Sequence, residues 1–296
     1  MKKTTFFKKL ILDEEILILP GAFDALSAKI IEQVGFKAVT LGGYPASASL
    51  LGKPDVSLLT LTEMVNHTKN IVEAVDIPVF ADGDTGHGNV TNVIRTVREF
   101  EKIGVAGLFI EDQLFPKRCG HMEGKKVIPT EEMIPKIKAA VDTRIDQDLV
   151  IMARTDALAV YGIDEAIERA NRYREAGADL IFIEAPRSIE DMKRITKEVD
   201  APTMANMIEG GKTPILGAKE LQEIGYNVVV FPLSTLYASA FATKKVIEEL
   251  YKKGSTIDYM DKMILFEDFN KIVGLDKIRE TETFYYQDLF NLISSH

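Results

Sequence analysis

The sequence predicts an α/β protein folded as a (β/α)8 TIM barrel, and three observations carry that expectation. Eight apolar runs of about four to six residues recur, nearly all followed by an amphipathic segment with a period near 3.6. Each run is apolar almost throughout instead of alternating, as strands covered by helices on both faces are. The units follow one another over about 240 residues without a linker or low-complexity break. A doubly wound open sheet is the alternative that the same pattern allows.

The first strand, Ile16–Leu19, stops at Pro20-Gly21, and the helix Asp24–Val34 ends at Gly35, where a residue without a Cβ suits a left-handed terminus. Ala38–Leu41 runs into Gly42-Gly43, with the helix Thr62–Val75 beyond. Pro78–Ala81 leads to the turn Asp82–Gly88 and the helix Val90–Ile103, closed by Gly104. Gly107–Ile110 opens the fourth unit, whose helix Glu131–Thr143 begins only after a long irregular stretch. Leu149–Ala153 is followed by Ile163–Ala176, Leu180–Ile183 by Ile189–Val199, Thr203–Ala205 by the shorter Ala218–Ile224, and Val228–Phe231 by Ser234–Lys252. Thr62, Thr130 and Asp164 are the expected caps near helix starts. The pairs Gly35-Phe36, Gly104-Val105 and Gly177-Ala178 mark αβ turns of one kind, so that repeat is structural.

No boundary divides the chain, and residues 1–296 read as a single barrel domain with 255–296 as a C-terminal helical extension. The basic opening, Met1 to Lys9, reads as a frayed, solvated terminus. Apolar faces in the extension (Leu265, Phe266, Phe269, Ile272 and Val273, then Phe284, Tyr285, Leu289, Phe290 and Leu292) need a cover, either their own barrel or a neighbouring subunit.

With 46% hydrophobic and 27% charged residues the chain can build a full core. A formal charge of -9 argues against nucleic acid and anionic membranes as partners, since both need a cationic surface. One cysteine excludes an internal disulfide framework, and neither a secretory leader nor an apolar run of about 18 residues is present, so a cytoplasmic protein is expected.

In such a barrel the active site lies at the C-terminal ends of the strands. The residues there are Gly42-Gly43, Asp82 and Asp84, Glu111 and Asp112, Arg154 and Asp156, Glu184 and Asn206. Carboxylates that converge in this way repel unless neutralised, and the turn Asp82-Gly83-Asp84-Thr85-Gly86-His87-Gly88 offers hard oxygen ligands that suit Mg²⁺, with Mn²⁺ as a substitute. An Asp-x-Asp turn by itself is more often a surface Asx-turn; its place after a strand favours the metal. His87 and His121 lack the ligand spacing of a zinc site. The glycines fit neither a dinucleotide fingerprint nor a phosphate loop, and no Gly-x-Ser-x-Gly elbow occurs.

The stretch from Asp112 to Thr130 has neither strand nor helix pattern and carries the sole cysteine in Lys117-Arg118-Cys119-Gly120-His121. A thiol beside cations is expected to shift toward thiolate, and Gly120 lets a substrate approach the backbone. The alternative is a small buried hydrophobe that happens to be cysteine. A loop of this length is expected to act as a mobile lid that brings Cys119 to the substrate.

Taken together, Gly21-Ala22-Phe23-Asp24-Ala25-Leu26-Ser27-Ala28, Asp82-Gly83-Asp84-Thr85-Gly86, Ile110-Glu111-Asp112-Gln113, the cysteine motif, Ala153-Arg154-Thr155-Asp156-Ala157 and Glu184-Ala185-Pro186 resemble the isocitrate lyase and phosphoenolpyruvate mutase superfamily over nearly the whole chain. The cysteine motif resembles that of the carbon–carbon lyase branch; phosphorus–carbon members lack this cysteine. The resemblance implies bound Mg²⁺, a gating loop with a catalytic cysteine, and homotetramers, dimers of dimers, with the C-terminal helix swapped between neighbours. It also implies that Asp82 and Asp84 hold the metal, with Glu111 and Asp55 on its waters, and that Arg154, Glu184, Asn206 and the backbone of Gly42-Gly43 hold the substrate.

The 2-methylisocitrate lyases of this superfamily usually carry Tyr at Thr40, Ser at Gly42, and arginines near Tyr237 and Met263 that grip a third carboxylate. Those cations are missing here. The runs from Asn206 to Pro214 and from Phe269 to Leu275 resemble members that act on smaller dicarboxylates such as 2,3-dimethylmalate or oxaloacetate. The expected chemistry is retro-aldol cleavage of the C2–C3 bond of a 2-hydroxy dicarboxylate to pyruvate and a carboxylic acid. Arg154 and the metal bind the 2-oxygen and its carboxylate, Cys119 is the general acid, and Lys117, Arg118 and His121 complement the anion's charge. The base stays open between Tyr44 and a metal-bound water. Rival readings are oxaloacetate hydrolysis, a phosphonopyruvate mutase-type reaction and a non-catalytic scaffold.

Overall fold

The computed structural model describes residues 1–294, with side chains placed up to residue 287. Its strands are β1 (Leu17–Pro20), β2 (Val39–Leu41), β3 (Val79–Asp82), β4 (Gly107–Glu111), β5 (Val150–Thr155), β6 (Leu180–Ile183), β7 (Met204–Asn206) and β8 (Val228–Phe231). All pair in parallel, in two arcs, β2-β3-β4-β5-β6 and β1-β8-β7. Leu17 lies opposite Val228, so the first strand pairs with the last, which an open doubly wound sheet does not do. The arcs meet at both seams through single parallel bridges, Gly21 with Thr40 and Ile181 with Thr203, in place of full ladders.

Strand side chains alternate between faces, and this separates two apolar layers. Leu19, Phe80, Phe109, Met152, Phe182, Met204 and Val230 belong to the inner cluster. Leu41, Ala81, Leu108, Ile110, Ala153, Ile183 and Val229 belong to the larger cluster shared with the helices.

The N-terminus is not frayed. Lys3–Ile11 is a helix whose Phe7, Leu10 and Ile11 fall at i, i+3 and i+4, and all three are buried in the inner cluster, with Phe7 stacked 5.5 Å from Phe80. Its lysines are not simply solvated: Lys3 donates to the Val75 carbonyl at 2.8 Å and Lys8 pairs with Asp179 at 3.5 Å, while Lys9 is exposed. Gly43–Leu51 and Leu158–Tyr161 are further helices that periodicity missed. The helix Leu61–Ala74 is capped by Thr60 instead of Thr62: the Thr60 side chain accepts from the Glu63 N–H, while Glu63 accepts from the Thr60 N–H at 2.8 Å. Gly35 stands as expected in the left-handed conformation, φ 108°.

Packing divides the chain into two compact units, Met1–Tyr237 and Ala238–His296. The second contains most of the helix Ser234–Lys253, a 3-10 turn Ile257–Lys262 and the helices Phe266–Ile272 and Leu275–Ser294. Leu265, Phe266, Phe269, Val273, Phe284 and Tyr285 are exposed there. The side chains of Leu289, Phe290 and Leu292 lie outside the described residues. Among the described residues no helix is long and apolar enough to cross a membrane.

Candidate active site

The two-residue period of the strands places the polar side chains. Asp82, Glu111, Arg154, Glu184 and Asn206 each lie two positions beyond an inner-layer apolar residue, namely Phe80, Phe109, Met152, Phe182 and Met204. They form the next inward layer toward the C-terminal ends of the strands. All five are buried, and the cavity beneath the loop is lined by Gly42, Gly43, Tyr44, Asp55, Asp82, Cys119, Gly120, Arg154, Glu184 and Asn206. Phe80, Phe109, Phe182, Met204, Ile208, Pro232 and Leu233 supply its apolar wall.

Arg154 is shared by three carboxylates: Glu111 at 3.3 Å, Asp156 at 3.0 Å and Glu184 at 3.2 Å. Its guanidinium carbon lies 5.3 Å from the centre of the Phe182 ring. Burial pushes Asp156 up, but Arg154 and Lys125 outweigh it and hold the carboxyl at about 2. Glu184 is likewise held below its ordinary range, burial being overcome by Arg154 and His121. Burial wins at Glu111, whose carboxyl is raised against the pull of Arg154 and Lys117. Asn206 faces Glu184 at 3.3 Å.

Four carboxylates surround one lysine. The Lys117 Nζ lies 2.8 Å from Asp55 and 2.7 Å from Asp84, with Asp82 and Glu111 also in its field. Asp82 accepts from the Gly43 N–H at 2.7 Å and the Asp84 N–H at 2.8 Å, and burial raises its carboxyl. Asp84 has φ 50° in this turn, a conformation uncommon for a residue with a side chain. Gly83 is required beside it, since a Cβ there would lie 2.6 Å from the Phe109 carbonyl oxygen.

The donor set can be tested for a divalent cation. Both Glu111 carboxyl oxygens are buried without a hydrogen-bond partner, as is the Asp84 Oδ1, which is near Lys117 but not aligned with it for a hydrogen bond. Among the described residues no cluster of three or more His, Cys, Asp or Glu forms a ready cage. Mg²⁺ does not need one, because it takes one or two carboxylates and keeps several waters. The Asp82–Asp84 turn fits that requirement.

The loop between β4 and the helix Thr130–Thr143 is pinned at its neck by a bridge between Gln113 and Val127. The Gln113 side chain binds both the N–H and the carbonyl of Arg118, at 3.0 and 2.8 Å. Cys119 is half-buried and its N–H donates to the Asp55 carbonyl. Gly120 must be glycine: a Cβ would come within 2.5 Å of Arg154 and Glu184. Gly42 and Gly43 line the same cavity, though the Gly43 N–H is already engaged by Asp82. The rings of Tyr44 and Tyr237 meet edge to face at 6.5 Å, and their hydrogen bond adds to burial in raising the Tyr237 hydroxyl.

Two expectations are corrected. Cys119 is not shifted toward thiolate; burial pushes the thiol up to about 11, with Glu184 adding to it and Arg154 opposing. Nor do the cations beside it in sequence face the open cavity. Lys117 is bound by Asp55 and Asp84, Arg118 is exposed with its guanidinium on the Glu123 carbonyl, and the His121 Nε2 stands 3.2 Å from Glu184. The Lys212 N–H donates to the His121 Nδ1 at 2.9 Å, which leaves the ring proton on Nε2 toward Glu184. Sequence reasoning also missed Lys125, buried against Asp156 31 positions away. A lysine pair after Gly124 reads as a solvated turn, and only the fold reveals the partner.

A family model described as phosphoenolpyruvate phosphomutase matches residues 7–251. A 2,3-dimethylmalate lyase of Eubacterium barkeri is 50% identical, over 96% of this chain and 99% of its own. A chloroplastic carboxyvinyl-carboxyphosphonate phosphorylmutase of Arabidopsis thaliana is 47% identical, over 95% of this chain and 84% of its own. A 2-methylisocitrate lyase of Aeropyrum pernix is 40% identical, over 98% and 93%. The solved structure of an oxaloacetate acetylhydrolase with the inhibitor 3,3-difluorooxalacetate is 33% identical and superposes with a TM-score of 0.90, over 95% of this chain and 96% of that one.

Proposed function

The chain belongs to the phosphoenolpyruvate phosphomutase family, and from that premise we propose that it is a carbon–carbon lyase acting on a 2-hydroxy dicarboxylate of the 2,3-dimethylmalate type. The single observation that carries this reading is the placement of Cys119 on a loop over a cavity that has one arginine and a largely apolar wall, where burial pushes its thiol up to about 11. A thiol that keeps its proton is a general acid, the role that cleavage to a carbanion requires.

Arg154 binds the carboxylate next to C2, with Glu184 and Asn206 fixing its far side. The hydroxyl proton leaves to a base, for which the Tyr44 hydroxyl lining the cavity is the protein candidate. The electrons of the O–H bond form the C2 carbonyl, those of the C2–C3 bond pass to C3, and Cys119 protonates C3. Pyruvate and a saturated carboxylic acid result. Asp82 and Asp84, with Glu111 and Asp55 beside them, would hold Mg²⁺ or Mn²⁺, which would supply Lewis-acid stabilisation of the charge that develops on the substrate oxygen.

A third substrate carboxylate would meet Tyr44, Tyr237 and the apolar wall without a cation, and an unpaired buried charge costs several kcal/mol. This favours methyl substituents over a tricarboxylate, and so 2,3-dimethylmalate over 2-methylisocitrate. Within the same reading the protein is a cytoplasmic homotetramer, and the exposed Phe266 and Phe284 of the second unit support only the part in which a neighbour covers that apolar face.

The test is turnover with Mg²⁺ over a panel of 2,3-dimethylmalate, 2-methylisocitrate, isocitrate, oxaloacetate and phosphonopyruvate, with products identified by NMR. Pyruvate plus propionate from dimethylmalate, reduced at least about 100-fold in Cys119→Ala, is the expected outcome. Oxalate plus acetate from oxaloacetate would move the chain to the hydrolase reading. Turnover of phosphonopyruvate alone, indifferent to Cys119→Ala, would overturn the proposal.

A further inference from the structure

Lys125 plays no part in the chemistry just described, yet its side chain is only 2% exposed. A buried ammonium is costly and is kept only where its partners repay the lost hydration. Its Nζ donates to the Asp156 Oδ1 at 2.7 Å and also to the Gly120 carbonyl. Asp156 is itself wholly buried and accepts from Arg154 with both oxygens, from Nε at 3.0 Å and from the terminal nitrogen at 3.2 Å. The Asp156 N–H is fixed in turn by Asp112 at 3.0 Å. One lysine therefore joins the backbone next to Cys119 to the carboxylate that orients the arginine.

The charges give this link a purpose. Arg154 is shared by Glu111, Asp156 and Glu184, and of these Asp156 has Lys125 as its second cation. Without Lys125, Asp156 has only Arg154 to neutralise it and draws the guanidinium away from the cavity. The loop would lose its grip on Gly120 in the same step. We propose that Lys125 is a positioning residue that locks the Cys119 loop over the cavity and, through Asp156, sets Arg154 in the orientation that receives a substrate carboxylate. The second half rests on the lyase reading; the first does not.

The chain's single cysteine makes the test direct, because alkylation reports only Cys119. In Lys125→Met, iodoacetamide should modify Cys119 about ten- to a hundredfold faster than in the wild type at the same pH, the scale of one charge-assisted hydrogen bond. Pyruvate, used as a carboxylate probe in calorimetry, should bind about tenfold more weakly. Lys125→Arg, which keeps the charge, should recover most of both. In an Asp156→Asn background the Lys125→Met effect on pyruvate binding should shrink, since the lysine acts through that carboxylate. A circular-dichroism melt checks that each variant is folded; should Lys125→Met not fold, Lys125→Arg and Lys125→Gln carry the same comparison. Wild-type alkylation in the folded variant would overturn the lock, and an undiminished effect in the Asp156→Asn background would overturn the route through Asp156. The alkylation comparison needs no substrate, so failure of the lyase reading, seen as no turnover by the wild type, stays distinguishable.

Discussion

Cys119 shows how a site's chemistry is set at the scale of single residues. Burial raises its thiol to about 11 from an ordinary 9.0, and Glu184 raises it further while Arg154 opposes. The folded form therefore binds this proton more tightly than the unfolded chain. The stability it contributes is fully present below pH 9 and is lost as the pH rises from 9 to 11. Thiolate absorbance of the native protein should thus titrate near 11, against near 9 for the unfolded chain; a native midpoint below neutrality would overturn the general-acid role. The candidate residues Asp82, Glu111, Arg154, Glu184 and Asn206 were legible in the sequence because strand ends were. The state of the thiol was not. Its sequence neighbours are cationic, but Lys117 and His121 are spent on the carboxylates Asp55, Asp84 and Glu184, and neighbours along a chain need not be neighbours in space.

Elements were legible where periodicity is strong, and every expected strand is present to within two residues. Short helices were missed for physical reasons. Gly43–Leu51 follows a strand directly and carries no charged residue, only small, apolar and hydroxyl side chains, so it has no amphipathic signature. Lys3–Ile11 does have one, but only over nine residues, hidden by four lysines within the first nine positions. Its burial makes it a structural plug for the inner layer, since Phe7 is wholly enclosed and stacked on Phe80. Phe7→Ala should cost about 3–5 kcal/mol of unfolding free energy, read from urea denaturation, as large aromatic truncations in cores do. A frayed end would cost under about 0.5 kcal/mol, and that result would remove the helix from the core. Phe80 lies on the same strand as Asp82 and lines the cavity, so the plug supports the floor of the site.

At the scale of the whole molecule, the site is a concentration of charge that local sequence does not reveal. Asp55, the Asp82–Asp84 turn and Glu111 come from three segments of the chain and meet around the ammonium of Lys117. Lys117 and, at Glu111, Arg154 are the cations among these four carboxylates, and buried oxygens of Glu111 and Asp84 stay without a hydrogen-bond partner. A divalent cation bound there stabilises only the folded form, by an amount that grows with its concentration over its dissociation constant, about 2.7 kcal/mol at a hundredfold excess. For a chain of 296 residues that corresponds to a rise of several degrees, roughly 3–8 °C, in the melting temperature. Mg²⁺ should therefore raise the melting temperature saturably and EDTA should reverse it. Asp82→Ala should remove the response while leaving a cooperative transition, because Asp82 already repels Asp84 and is desolvated in the free protein. A wild-type Mg²⁺ response in folded Asp82→Ala would place the cation elsewhere, and the convergence of these four carboxylates on Lys117 would then need an explanation in folding alone.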